Sequence, residues 1–241
     1  MSTAVVHRTV VRLGVRSIFG RWRGVLLFVL PLVLIGLAVL ARALVGQTDE
    51  GARHTLYGLG LVVVVPLVAL LATSGLLAPE IDDGSISYLL AKPVPRSTIV
   101  VSKLVVAVGC VLAFGTLPLL VAGLVLRTGD PSVAVGFALG SVLGGTAYCA
   151  LFALLSVVTR HAVVVGLVYL LVWEGLLGGL LDGVRWLSVT RWSAAVVDRV
   201  AGTSLVDLSL VYALVAALVV IVGGTWLTGH RLRSFNLTGD E

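Results

Sequence analysis

Charge is what this 241-residue chain has least of: 12% of its residues are Asp, Glu, Lys or Arg, against about 25% in ordinary globular chains. So few charges cannot cover the surface of a soluble protein of this length. Disorder is excluded as well, because 59% of the residues are hydrophobic and a disordered chain is polar. Cysteine is also scarce. Cys110 and Cys149 lie inside apolar runs and read as small packing residues, too few for a disulfide framework or a metal site. The dipeptide Gly-Lys never occurs, so the phosphate-cradling G-x-x-x-x-G-K-[ST] loop is missing and the chain carries no ATPase of its own. A G-x-S-x-G nucleophile elbow is missing too. His7, His54, His161 and His230 sit at the edges of apolar runs or in tails. No catalytic, cofactor-binding or metal-binding residue is expected.

What is present is apolar sequence in long runs. A helix needs about 20 apolar residues to cross the hydrocarbon core. Six segments qualify: Gly24–Val45, Thr55–Ala78, Leu104–Leu126, Val133–Val158, Ala162–Leu181 and Leu208–Thr228. The expected fold is therefore all-α and polytopic, with a 24–228 membrane domain between a 1–23 leader and a 229–241 tail. The first run exceeds a signal-peptide core and five more follow, so it reads as a retained helix.

The net charge of +5 points to membrane topology and not to nucleic acid, since the basic residues fall between apolar runs and not in one aromatic-laced patch. With the N-terminus inside, eleven Lys and Arg lie on the cytoplasmic side and six outside. Both termini are therefore expected in the cytoplasm of a cell-membrane protein. In the leader, Arg8, Arg12 and Arg16 recur every fourth residue, one stripe of a helix lying along anionic headgroups. A plain basic tail is the simpler alternative.

Two features inside the spans stand out. Gly136, Gly140 and Gly144 in span four, and Gly175 and Gly179 in span five, repeat at four-residue spacing, which lets helix backbones approach closely in lipid. That packing could lie within one subunit or between two. Glu174 is the acidic residue well inside a span. A carboxylate at depth is costly, so a partner is expected. Arg185 and Arg191 are the candidates, or else a polar pathway. The role can be structural, pinning span five, or functional, in gating or substrate contact.

The loop between spans two and three, 79–103, is the most patterned polar segment. It carries Glu80, Asp82 and Asp83, then Gly84-Ser85, then Leu89-Leu90, then Pro93 and Arg96. Prolines at Pro79 and Pro93 would bound it. Ser85–Ala91 is long enough for two helical turns with an apolar face, suited to docking on a partner or to lying on headgroups.

The run Glu80…Gly84-Ser85…Leu89-Leu90…Pro93…Arg96…Lys103 resembles the signature of type-two ATP-binding-cassette (ABC) exporter permeases of the short six-span kind. The layout is similar as well. The resemblance implies that the chain binds no cofactor, while a separate ABC ATPase, in two copies, carries ATP and magnesium. It implies a second permease chain, as in a homodimer, and docking of each ATPase on the first cytoplasmic loop through Glu80, Asp82, Asp83, Gly84, Ser85, Leu89, Leu90, Pro93 and Arg96. It also implies short re-entrant helices in the outer segment 182–207, where Trp186 and Trp192 suit interfacial depth. Two other classes stay open. A non-transporting membrane anchor or assembly subunit would show the same spans without needing a docking loop. A proton-coupled secondary transporter would show several buried carboxylates and an internal repeat.

Overall fold

The computed structural model describes residues 22–45, 49–82, 96–126, 131–159, 161–177 and 185–234. Among these residues there is helix and no strand, as chains rich in Leu, Val and Ala with polar breaks should give in lipid. Helix α1 is Trp22–Val45. Helix α2 covers 49–82 and α3 covers 96–126, each running through a π-helical stretch. Helix α4 is Pro131–Val158, and α5 covers 162–177. A 3₁₀ turn, Arg185–Leu187, leads into α6, Val189–Ala201, and α7 is Leu210–Ser234.

Five of these helices are long and apolar enough to cross a membrane: α1, α2, α3, α4 and α7. The described part of α5 is a shorter apolar helix, Ala162–Leu176. The structure thus places a helix at each of the six apolar runs, with five of full crossing length. Several ends lie beyond the apolar runs. Helix α2 starts at Asp49, because Asp49–Thr55 forms two charged helical turns. It also passes through Pro79 to Asp82, so that proline does not stop the helix as expected. A proline in a terminal turn removes one hydrogen bond where the ladder is already ending. Helix α3 opens at Arg96.

The π-helical stretches in α2 and α3 have a local cause. Leu56–Val64 ends two residues before Pro66, and Leu112–Thr116 ends two residues before Pro118. Proline has no N–H and its ring crowds the carbonyl four residues back. Widening the preceding turn relieves that crowding, and the i−5 bonds Val65 N–H to Gly60 O and Leu117 N–H to Leu112 O show it. A third stretch, Tyr169–Leu177, contains no proline and carries Glu174.

Helix α4 is the hub, packing on α2, α3, α5, α6 and α7. Its side chains Phe137, Tyr148 and Phe152 are fully enclosed. Helices α1 and α7 lie at the periphery, with Leu32 72% and Val211 73% exposed, faces that only lipid or another apolar surface can cover. The C-terminal ends of α1 and α3 are side by side, since Arg42 Nη1 donates to the Val125 carbonyl at 2.7 Å. The start of α4 meets that same end, where Ala134 packs against Gly123.

Candidate functional site

Helix α6 forms because Ser188 caps it: the hydroxyl accepts from Arg191 N–H at 3.3 Å. It stops at Gly202, whose φ of 62° suits a residue without a β-carbon. Asp198 then folds the next segment over the helix end, accepting from Leu205 N–H at 2.8 Å and Val206 N–H at 2.9 Å. Trp186 O receives bonds from Trp192 Nε1 at 2.8 Å and the Tyr212 hydroxyl at 3.2 Å. The turn, α6 and the start of α7 are thereby tied into one unit.

That unit lies along the glycine stripe of α4. A β-carbon at Gly136 would sit 3.3 Å from Val197 O, and one at Gly140 only 2.6 Å from Ser193 O. One at Gly144 would collide with Ser193 Oγ. The three glycines therefore face α6 of the same chain. Gly175 lines the cleft described below, and Gly179 lies outside the described residues. The Tyr148 hydroxyl, fully buried, bonds Thr190 Oγ1 at 2.8 Å. Tyr148 is 17 residues into a 28-residue helix, about 25 Å along its axis. The first turn of α6 is thus level with the middle of the bundle.

Glu174 meets α6 there. Its carboxylate accepts from Ser188 Oγ at 2.5 Å, Val189 N–H at 2.9 Å and the Tyr169 hydroxyl at 3.4 Å. Helix α6 has no acidic residue in its first turn, where a capping box would place one. Glu174 supplies that charge from another helix, against the positive end of the α6 dipole. The expected partners were Arg185 and Arg191; both line the same cleft, but the bonds to the carboxylate come from Ser188, Val189 and Tyr169. A column of rings, Tyr148, Phe152, Tyr169 and Trp173, with successive centroids 5.7, 6.3 and 6.4 Å apart, joins α4 to this part of α5. Between α2, α5 and α6 is a cleft of about 360 Å³ lined by Tyr57, Glu174, Arg185, Ser188, Thr190 and Arg191.

Sequence reasoning singled out Glu174 and missed Ser188, Tyr169 and Tyr57. A serine before Val189-Thr190-Arg191 is a recognisable N-cap. The acid it pairs with, fourteen residues upstream, is not a local signal.

Away from this network, Glu80 and Asp82 occupy the last turn of α2 and Arg96 opens α3. Asp83, Gly84, Ser85, Leu89, Leu90 and Pro93 lie outside the described residues, as do the leader's arginine stripe and most of the tail. Lys103 is described, and is 4% exposed within α3. Among the described residues no cluster of His, Cys, Asp or Glu could hold a metal ion.

A bundle of apolar helices around a glycine-lined hub, with a polar network level with its middle, defines a multi-pass membrane protein. The chain belongs to the ABC-2 family of transporter proteins, whose family model matches residues 16–228. It is a permease component of an ABC transporter, a kind of subunit that generally works with an ABC ATPase. No curated protein matches it as a relative.

Proposed function

We propose that this chain is the permease of an ABC exporter in the cell membrane, paired with a second copy of itself and driven by two ATPase subunits docked on its first cytoplasmic loops. The observation that carries the reading is the family match over 16–228, together with the loop pattern from Glu80 to Arg96 that the match encloses. In this reading Leu89 and Leu90 fill an apolar groove on the ATPase, while Glu80, Asp82 and Asp83 meet basic residues there. ATP and magnesium stay on the partner.

The α5–α6 hairpin is the outer, re-entrant element. Support comes from the depth of its first turn, level with Tyr148 beside α4. Glu174 is then the latch of the outer gate, joining α5 to α6 while the outer end is shut.

The docking role is tested by changing Leu89 and Leu90 together to Asp. Two charges forced into an apolar contact should cut co-purification of the ATPase at least tenfold, since unpaired buried charge costs about 3–5 kcal/mol. Membrane insertion should be unchanged. Co-purification at wild-type yield would reject the dock. Orientation is tested separately, with single cysteines at Ser87 and at Ser204, which is exposed beyond α6, in a chain lacking Cys110 and Cys149. In intact cells an impermeant maleimide should label position 204 and spare position 87. The reverse pattern would invert the topology and remove the cytoplasmic dock.

A further inference from the structure

The cleft beside Glu174 contains acceptors that are satisfied and donors that are not. Glu174 has three donors, Thr190 is bound to Tyr148, and Ser188 is held between Glu174 and the Arg191 N–H. Arg191 and Tyr57 line the same space, and neither the guanidinium nor the hydroxyl makes a hydrogen bond or ion pair with any described residue. Both are only partly exposed, so water cannot reach them as freely as it reaches a surface side chain.

Two idle donors, one of them a cation, call for an acceptor with negative charge. A volume of about 360 Å³ is at the small end of ligand sites, which run from roughly 300 to 1,000 Å³. It suits a headgroup and not a whole large molecule. The adjoining apolar side chains Leu176, Trp186 and Leu187 are each more than half exposed, which offers an attached acyl chain a surface outside the cleft.

We propose that this cleft binds the phosphate or carboxylate headgroup of an anionic amphiphile, with Arg191 and Tyr57 as its donors. Glu174 stays with Ser188 and Val189 and bounds the site without contributing to it. The proposal is independent of which loop docks the ATPase and of the direction of transport.

The test uses the full chain purified in an uncharged detergent and offered equimolar phosphatidylglycerol, phosphatidylethanolamine and phosphatidylcholine, with retained lipid read by native mass spectrometry. Phosphatidylglycerol should be retained at least fivefold over the other two. Arg191→Gln should bring it down to the phosphatidylcholine level, and Tyr57→Phe, which keeps the packing, should lower it two- to threefold. Arg191→Lys should restore part of it. Inorganic phosphate should displace the lipid only at millimolar concentration; displacement at lipid-like concentration would keep the anion site but make its ligand a free anion. Equal retention by wild type, Arg191→Gln and Tyr57→Phe would overturn the proposal. So would preference for phosphatidylethanolamine, which would mean that Glu174 takes the ammonium and leads the recognition.

Discussion

Gly140→Ala should leave little correctly folded protein, although it adds one methyl group to a membrane helix that already tolerates alanine on either side of the stripe. The β-carbon would lie 2.6 Å from the Ser193 carbonyl oxygen and 3.3 Å from its carbon. Both are backbone atoms of α6, and backbone cannot rotate away as a side chain can. The whole helix must move, and with it the bonds that Thr190 and Val189 make to Tyr148 and Glu174. Overpacking typically costs about 1–3 kcal/mol, and parting two closely packed helices adds lost dispersion along the stripe. The expected readout is a drop of at least fivefold in monodisperse protein after detergent extraction.

Gly144→Ala is the informative companion. Here the obstacle is the Ser193 hydroxyl, a side-chain atom that otherwise donates to Val189 O at 3.0 Å. Removing it with Ser193→Ala should rescue Gly144→Ala in large part, and should do nothing for Gly140→Ala. If Ser193→Ala rescues both, or neither, the contact described between α4 and α6 is wrong. If Gly140→Ala yields wild-type protein, the stripe does not pack on α6, and the alternative contact with another subunit returns.

The membrane character of the chain was legible because apolar runs register on length alone. Several helix ends were misjudged for the same reason. Asp49–Thr55 is polar and still helical, since backbone hydrogen bonds do not require apolar side chains. The glycine spacing announced a close approach but not its partner. Helix α6 is the partner, and VTRWSAAVVDRVA carries two arginines and an aspartate in 13 residues, so by composition it looks like an outer loop. Its buried residues, Val189, Thr190, Trp192, Ser193, Ala194, Ala195 and Val197, are mostly small or polar, and Arg191 lines the cleft. The cost of an acid at depth made Glu174 conspicuous. Nothing local could say that a helix end, and not an arginine, would offset that cost, because the two residues that matter are distant in sequence and meet only after the hairpin folds.

Glu174→Ala should destabilise the hairpin strongly and Glu174→Gln only mildly, and the contrast follows from the donors. Alanine leaves Val189 N–H and the Ser188 hydroxyl without their acceptor. Each unsatisfied buried donor costs about 1–3 kcal/mol, so a loss of about 2–6 kcal/mol is expected for the pair. Glutamine keeps an oxygen for Val189 N–H, while its amide nitrogen can donate to Ser188 Oγ, which then loses its own acceptor. The variant forfeits charge assistance and the favourable charge at the α6 N-terminus, the latter worth about 0.3–1 kcal/mol at exposed ends and up to ~2 kcal/mol when partly buried. Hydrogen exchange at Val189 through Trp192 should report this directly: near wild type or modestly faster in Glu174→Gln, and much faster in Glu174→Ala. The latch adds a functional expectation that a pin would not share. With the ATPase bound, Glu174→Gln should assemble at wild-type yield yet lose most substrate-stimulated ATP hydrolysis, because the charge that holds α6 shut and must be released during opening is gone. Full stimulated hydrolysis in Glu174→Gln, with the exchange pattern as expected, would leave Glu174 as a structural cap of α6 and withdraw the gate.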